Sequence, residues 1–474
     1  LFAAARLAQA GFRVRVVEAR ATLGGGARTE EVTLPGFRHD ICSAIHPMSV
    51  VSPAFRELNL LPGADAWAWS PIELAHPFDD GSAAVLVRSV DETAHHMGVD
   101  GRAWIDLFAP FVADAGRLFD DILRPVRLPR LPGLMARFGT IGLQSAERLA
   151  ARFRDPKTRA IFAGCVAHAI VPLDRPGTAS FGLVLLLAGH VAGWPCARGG
   201  SSSIVDALAA KIREAGGTLE TSRPAASARD LDGARATLFD VTPRQLLAIA
   251  GQRLSASYRR RLAAFRYAPG IFKIDWALDG PVPWRAPEAR LAATVHLGPA
   301  WEDIARAERA VWEGRVPETP FVIFAQQSLF DPSRAPAGKQ TGWAYCHVPH
   351  GSAADMTERI EAQVERFAPG FRERILARAT RTAVDVEAHN PNMIGGDIGG
   401  GANDLFQFLL RPFPRWNPYT TSNPNIYLCS ASTPPGGGVH GMCGWSAAET
   451  FLARESGDTT AAALLARALG RNRV

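Results

Sequence analysis

Residues 1–30 constrain the fold of this chain more than any other stretch. In residues 1–10, Leu1, Ala4, Ala5 and Ala8 fall at helical spacing, and Gly11 supplies the stop. Residues 12–17 alternate apolar and basic side chains, as a short strand does, and Glu18 ends them. An acid at the end of the second strand of a βαβ unit is the group that holds the ribose hydroxyls of a bound dinucleotide. The turn Leu23-Gly-Gly-Gly-Ala-Arg-Thr29 follows, with an arginine able to approach a pyrophosphate. Alone, this string is either the back half of such a unit or an ordinary αβ pair with a glycine turn. On the first reading a strand and a glycine-rich phosphate loop, roughly fifteen to twenty residues, belong ahead of Leu1. The sheet edge beside residues 12–17 is then expected to stand open.

A second glycine run lies near the far end. Ile426-Tyr-Leu-Cys-Ser-Ala431 reads as a short strand, and Ser432-Thr-Pro-Pro-Gly-Gly-Gly-Val-His-Gly-Met-Cys-Gly444 follows it. An alanine-rich helix is expected from about Trp445. Gly436, Gly438 and Gly441 match the dinucleotide fingerprint, yet only helix follows, with no second strand and no ribose-binding acid, so no second complete unit is expected. A helix N-terminus at this point offers free N–H groups to an anion, or to the negative charge of a reduced ring.

Composition narrows the remaining classes. A chain of 474 residues with 47% hydrophobic and 21% charged residues is globular and long enough for two or three domains. The net charge is +6, but only four of the 52 basic residues are lysine and the arginines are scattered. That pattern follows coding bias, not a phosphate-tracking face, so no nucleic-acid partner is expected. Six cysteines without a C-x-x-C pair exclude a zinc ribbon and a thioredoxin-like dithiol, and imply a reducing, cytoplasmic setting. Every 20-residue window carries charges or turn signals, so no membrane-spanning helix is expected. His347-x-x-His350 has no third ligand and reads as loop, His95-His96 as surface, and Asp397 and Asp404 as turn formers. No metal site is expected.

Several stretches then point to one family. They are Val17-Glu-Ala-Arg-Ala-Thr-Leu-Gly-Gly-Gly-Ala-Arg-Thr29, Arg38-His-Asp-Ile-Cys-Ser-Ala-Ile-His-Pro47, Ala197-Arg-Gly-Gly-Ser201 and Phe272-Lys-Ile-Asp-Trp-Ala-Leu278. Asp331-Pro-Ser-Arg-Ala-Pro-Ala-Gly338, Asn390-Pro-Asn-Met-Ile-Gly-Gly-Asp397 and the run 434–444 complete the set. In this order they resemble the phytoene dehydrogenase-like branch of the FAD-dependent oxidoreductases, which includes carotenoid desaturases.

The resemblance implies an α/β protein with a Rossmann-like FAD-binding domain of the glutathione-reductase type and an α+β substrate domain. The FAD domain would comprise residues 1–75, 195–250 and 385–474, and the substrate domain 76–194 and 251–384. Glu18 would bind ribose; Gly24, Gly25, Arg28 and Thr29 would line the pyrophosphate. Ala431 and the stretch Gly437, Gly438, Val439, His440 and Met442 would cover the flavin. His46 and His440 are the catalytic candidates, because a neutral imidazole near the ring could donate to it or relay a proton; His440 could equally satisfy backbone groups in a tight loop. The segment 222–227 departs from the family where the middle strand passes the adenine.

The implied chemistry is hydride removal from a hydrophobic small molecule, with reoxidation by oxygen or a quinone. Two alternatives stay open: a flavin amine oxidase, with Trp416, Tyr419 and Trp445 as candidate ring-facing aromatics, and a non-catalytic binding or escort protein. Residues 122–143, between Arg124 and Arg137 above all, mix arginines with apolar residues and could touch a membrane interface or pack on the lobe as a proline-broken helix. The apolar run 183–187 could line a tunnel or fill the core.

Overall fold

The computed structural model describes residues 1–231 and 233–457. Its first helix, Phe2–Gln9, buries Ala3, Ala4, Ala5, Leu7 and Ala8. It ends in a left-handed glycine, Gly11, whose N–H reaches Ala8 O while Phe12 N–H reaches Leu7 O. That double closure satisfies the last carbonyls and turns the chain sharply. The small buried face lets the last described helix, Met442–Glu455, approach closely. A Cβ on Gly441 would stand 2.4 Å from the Phe2 ring, and one on Gly444 3.0 Å from Ala3 N.

The strand after the first helix spans Arg15–Val17, shorter than expected, because Phe12 and Val14 pack against Tyr427 and Phe451 instead. It pairs in parallel with Thr218–Glu220, and its other edge has no strand partner among the described residues. A second parallel pair joins Thr237–Phe239 to Ile426–Leu428. The amphipathic helix Ser202–Glu214 leads into the first pair.

A seven-stranded mixed sheet forms the second layer, with strands in the order Ile375–Arg381, Gly270–Leu278, Gln340–Val348, Val322–Ala325, Ala292–Leu297, Ile72–Pro77 and Ala83–Leu86. Alternation along the strands gives it two distinct faces. One is apolar: Phe272, Ile274, Trp276, Phe324 and Cys346 pack with Ile360, Val364 and Phe367 of the helix Thr357–Phe367. The other carries Lys273, Asp275, Trp343, Tyr345, His347, Thr294 and His296. On that side the helices Pro156–Ala167 and Trp301–Trp312 contact its strands. In the helix Ala179–Ala192, Leu183, Leu186 and Leu187 are core, while Val184 and Leu185 are only half-buried.

Three of the expected domain boundaries meet packed elements of the structure. The cut after residue 75 falls inside the strand Ile72–Pro77. The cut after residue 250 separates the helix Ala256–Ala263, whose Tyr258 and Leu262 pack with Phe239, Leu246 and Leu428. The cut after residue 384 falls in the first turn of Ala383–His389. Residues 458–474 of the expected last segment lie outside the described residues. No helix among the described residues is long and apolar enough to cross a membrane.

Candidate functional site

The first glycine loop is held by its own side chains. Gly24 has φ +120°, and a Cβ there would stand 3.0 Å from Val205 and 3.1 Å from Ala27 O. Gly25, at φ +58°, faces open space, with Asn390 Nδ2 the nearest atom at 3.9 Å. Arg28, expected to line a pyrophosphate, is turned inward: its Nη2 donates to Thr22 O at 2.7 Å and Nη1 to Gly25 O at 3.2 Å. It also lies 3.5 Å from Glu18, whose carboxylate accepts the Arg20 N–H at 2.8 Å. Thr29 donates to Asp40 at 2.8 Å and accepts from Ser202 N at 3.1 Å. Arg28 and Thr29 therefore shape the loop.

The segment 41–52 runs from this loop to the second one. Ser43 N–H donates to Gly26 O, Ser49 Oγ to Val439 O at 2.7 Å, and Ser52 Oγ to His440 O. Met48 lies against Gly438. Gly437 and Gly438 are exposed, and Val439 is held at φ +54°, left-handed strain that the two serine bonds help to sustain. Ala431 is half-buried above them, its carbonyl taking the Arg411 guanidinium at 2.8 Å.

Both candidate histidines are buried and neutral; burial pushes each down to about 4, with Asp40 partly opposing this at His46. Burial therefore disfavours a charged ring at either position near neutral pH. Ser201 Oγ donates to Ser43 O, so His46 Nε2–H must donate to Ser201 Oγ at 3.0 Å. His440 Nδ1 accepts the Met442 N–H at 3.0 Å, and the Gly436 and Gly437 carbonyls face the buried ring and partly oppose the effect of burial. The Met442–Glu455 helix starts three residues before the expected Trp445 because Gly441 adopts a left-handed turn there.

Sequence reading missed the ion pairs behind the loops. Arg334, 1% exposed, bonds Asp40 at 2.7 Å and Asp331 at 3.0 Å, and these carboxylates take Ser201 N and Gly199 N. Burial alone would raise the Asp40 carboxyl; the guanidinium outweighs it and holds Asp40 below its usual range. Next to it, buried Lys273 pairs with Asp275, which lies 3.6 Å from His39. Burial lowers the Lys273 ammonium against the pull of Asp275, and raises the Cys42 thiol to about 11. A cavity of about 10 Å³, room for one water, separates Gly25, Gly26 and Cys42 from Arg381 and His389. Gly25, Gly26 and Cys42 were legible as parts of motifs, but Arg381, His389 and the pairing were not.

Other expectations resolve singly. Asp404 caps the helix Leu405–Leu410, and Asp397 accepts Ala268 N and Gly399 N, both as turn formers. His95 and His96 are exposed. His347 is not in a loop: it lies buried in the strand Gln340–Val348, 2.7 Å from Glu308. Trp416 is 94% exposed, Tyr419 donates to Pro434 O, and Trp445 lies under Arg6, so they form no aromatic pair. No cluster of three or more His, Cys, Asp or Glu among the described residues is arranged to hold a metal.

Open Gly25 and exposed Gly437 and Gly438 leave backbone of both glycine loops accessible, which fits a flavin nucleotide. Comparison with known proteins agrees. Residues 1–58 match the model of the NAD(P)-binding Rossmann-like domain. The mouse pyridine nucleotide-disulfide oxidoreductase domain-containing protein 2 is 25% identical over 95% of this chain and 91% of its own. A phytoene desaturase (lycopene-forming) from Paracoccus sp. is 22% identical over 63% of this chain and 62% of its own. In fold, an oxidoreductase from Methanosarcina mazei matches with TM-score 0.60 at 15% identity, covering 95% of this chain and 96% of that one. Putrescine oxidase matches with TM-score 0.57 at 16% identity, covering 96% of each chain.

Fold and site together define an α/β, Rossmann-type oxidoreductase that uses a flavin-type cofactor. Within that class the chain is similar to pyridine nucleotide-disulfide oxidoreductase domain-containing protein 2 and to phytoene desaturase.

Proposed function

We propose that the chain binds FAD and removes hydride from a C–H bond of a hydrophobic small molecule, desaturating or oxidising it. Bound FAD supplies the hydride acceptor, and oxygen or a quinone restores it. The observation that carries this reading is the convergence of segment 41–52 on both glycine loops, bordered by half-buried apolar side chains. Ile45, Val50, Val184, Leu185, Ile398 and Val439 all pack partly exposed against the main core. Glu18 would hold the ribose, the backbone at Gly24 and Gly25 the pyrophosphate, and the Met442 helix terminus the negative charge of the reduced ring. The apolar border would exclude water. The test is a visible spectrum of the purified protein with and without added FAD, followed by anaerobic bleaching with apolar alkenes. A protein that stays colourless with FAD overturns the reading. Peroxide release on an amine panel, without bleaching by any alkene, would favour amine oxidation.

The same reading allocates the seven-stranded sheet to a substrate domain and the two parallel pairs to an FAD domain. It also places membrane contact near Arg124 and Arg137. Arg127 and Arg130 are tied to Asp121 and Asp120, so contact there rests on exposed Val126 and Leu128 more than on free charge. Loss of vesicle co-sedimentation in a Val126→Asp, Leu128→Asp variant is the expected result.

A further inference from the structure

The helix Pro156–Ala167 carries a glycine where alanine would suit a helix better by about 1 kcal/mol. A Cβ on this Gly164 would stand 2.5 Å from His296 Nδ1. The gap therefore admits an imidazole from the polar face of the sheet. His296 is fully buried, and its Nε2 lies 3.1 Å from Nε2 of His168, the residue capping the same helix.

Two imidazoles meeting through Nε2 share one proton. His296 Nδ1 is sealed without a partner. A proton there would be a buried donor with nothing to receive it, whereas a bare lone pair costs less. The proton therefore sits on His296 Nε2 and is donated to His168 Nε2, which leaves His168 carrying its own proton on Nδ1. That Nδ1 makes no hydrogen bond within the described protein, and His168 is half-buried between fully buried Ala167 and Ala169. Burial keeps both rings neutral.

Two ties bring this donor to the flavin-side loops. Asn403 Nδ2 donates to Ala169 O at 3.1 Å, and Asn403 Oδ1 accepts Arg411, which also donates to Ala431 O. Trp194 packs edge-on to His168 at 6.1 Å, and the next residue, Pro195, takes the His46 N–H. Just beyond, buried Ile170 is held at φ +53°, a conformation that a β-branched residue adopts only when its surroundings impose it.

We propose that His168 is a specificity-determining residue whose Nδ1–H receives an oxygen acceptor (carbonyl, hydroxyl or carboxylate) on an otherwise apolar substrate, with His296 positioning it. This rests on the hydride-removal reading and deepens it: the substrate is an oxygenated chain, not a bare hydrocarbon.

The test uses the FAD-loaded protein and two probes of equal chain length, a polyene hydrocarbon and the same polyene ending in an aldehyde. Flavin difference spectra read binding, and anaerobic bleaching reads turnover. The aldehyde chain is expected to bind about tenfold or more tightly, and His168→Phe to raise its KM by that factor while leaving kcat and hydrocarbon binding nearly unchanged. His168→Gln, which keeps a donor, should restore part of the preference. Equal affinity for both probes, or a preference untouched in His168→Phe, overturns the proposal. If both probes bind with the expected preference but neither bleaches the flavin, the hydride-removal reading fails while the donor assignment stands. Independently, long-range ¹H–¹⁵N spectra of histidine-labelled protein, assigned by difference with His168→Gln, should show the Nδ1–H tautomer. An Nε2–H tautomer at His168 overturns the proposal, and Gly164→Ala should abolish the Nδ1–H signature by displacing His296.

Discussion

The two glycine loops have similar composition and opposite construction. Around Gly24–Gly26 the polar side chains of the loop close on its own neighbourhood: Arg28 on Thr22 and Gly25, and Thr29 on Asp40. Around Gly436–Gly438 other segments do the holding, Ser49 and Ser52 from one side and Arg411 from another. The first is braced from within and anchored to a buried ion pair. The second is suspended, its backbone left facing outward. A glycine run thus says where backbone approaches something closely, but not what keeps it there.

Breaking the anchor should have the largest effect. Arg334→Met leaves Asp40 and Asp331 buried without their cation, and a loss of about 3–5 kcal/mol in denaturant unfolding is expected. An effect under about 1 kcal/mol would show that the first loop does not depend on it. Next comes the helix start that supports the second loop. Gly441→Ala combines a left-handed backbone with a clash against Phe2, and should cost about 3 kcal/mol.

Acid separates the two contributions further. His46 and His440 have folded values depressed from 6.5 to about 4, so the unfolded chain binds protons first. Their contribution is complete above about pH 6.5 and is lost as pH falls toward 4, each costing about 2 kcal/mol by pH 5. The Asp40 carboxylate behaves similarly but only at lower pH, since its value lies below the usual carboxylate range. In a urea series against pH, His440→Gln should flatten the first decline and leave the second. The smallest effect is expected for Gly25→Ala, which meets no clash and pays only for its left-handed φ, about 1 kcal/mol. A larger loss of FAD affinity than of stability there would mark Gly25 as a binding glycine.

Local patterns carried much of this fold. The first helix and the strand near 426 were readable because each records its own period. Ends were less legible: Phe12 looked like strand, but packing on Phe451 took it out of the ladder. The site was legible as loops and opaque as chemistry. Arg334 and Asp40 stand 294 residues apart, and His168 and His296 stand 128 apart. No spacing rule links such partners. His347 looked like loop because its neighbours Pro349 and Gly351 dominate the local signal, whereas its strand partner Ile271 lies far upstream.

The packing of the helix Phe2–Gln9 on the helix Met442–Glu455 has a consequence in time. Arg6 meets Glu449 across 443 residues. At ribosomal rates of about 5–20 residues per second, the alanine face of the first helix stays uncovered for roughly twenty to ninety seconds. The seven-stranded sheet can assemble during that interval; the layer built on the helix Phe2–Gln9 cannot close until the helix Met442–Glu455 emerges. Chaperone demand should therefore fall on the helix Phe2–Gln9, and slowing translation should lengthen its exposure to proteases without touching the sheet.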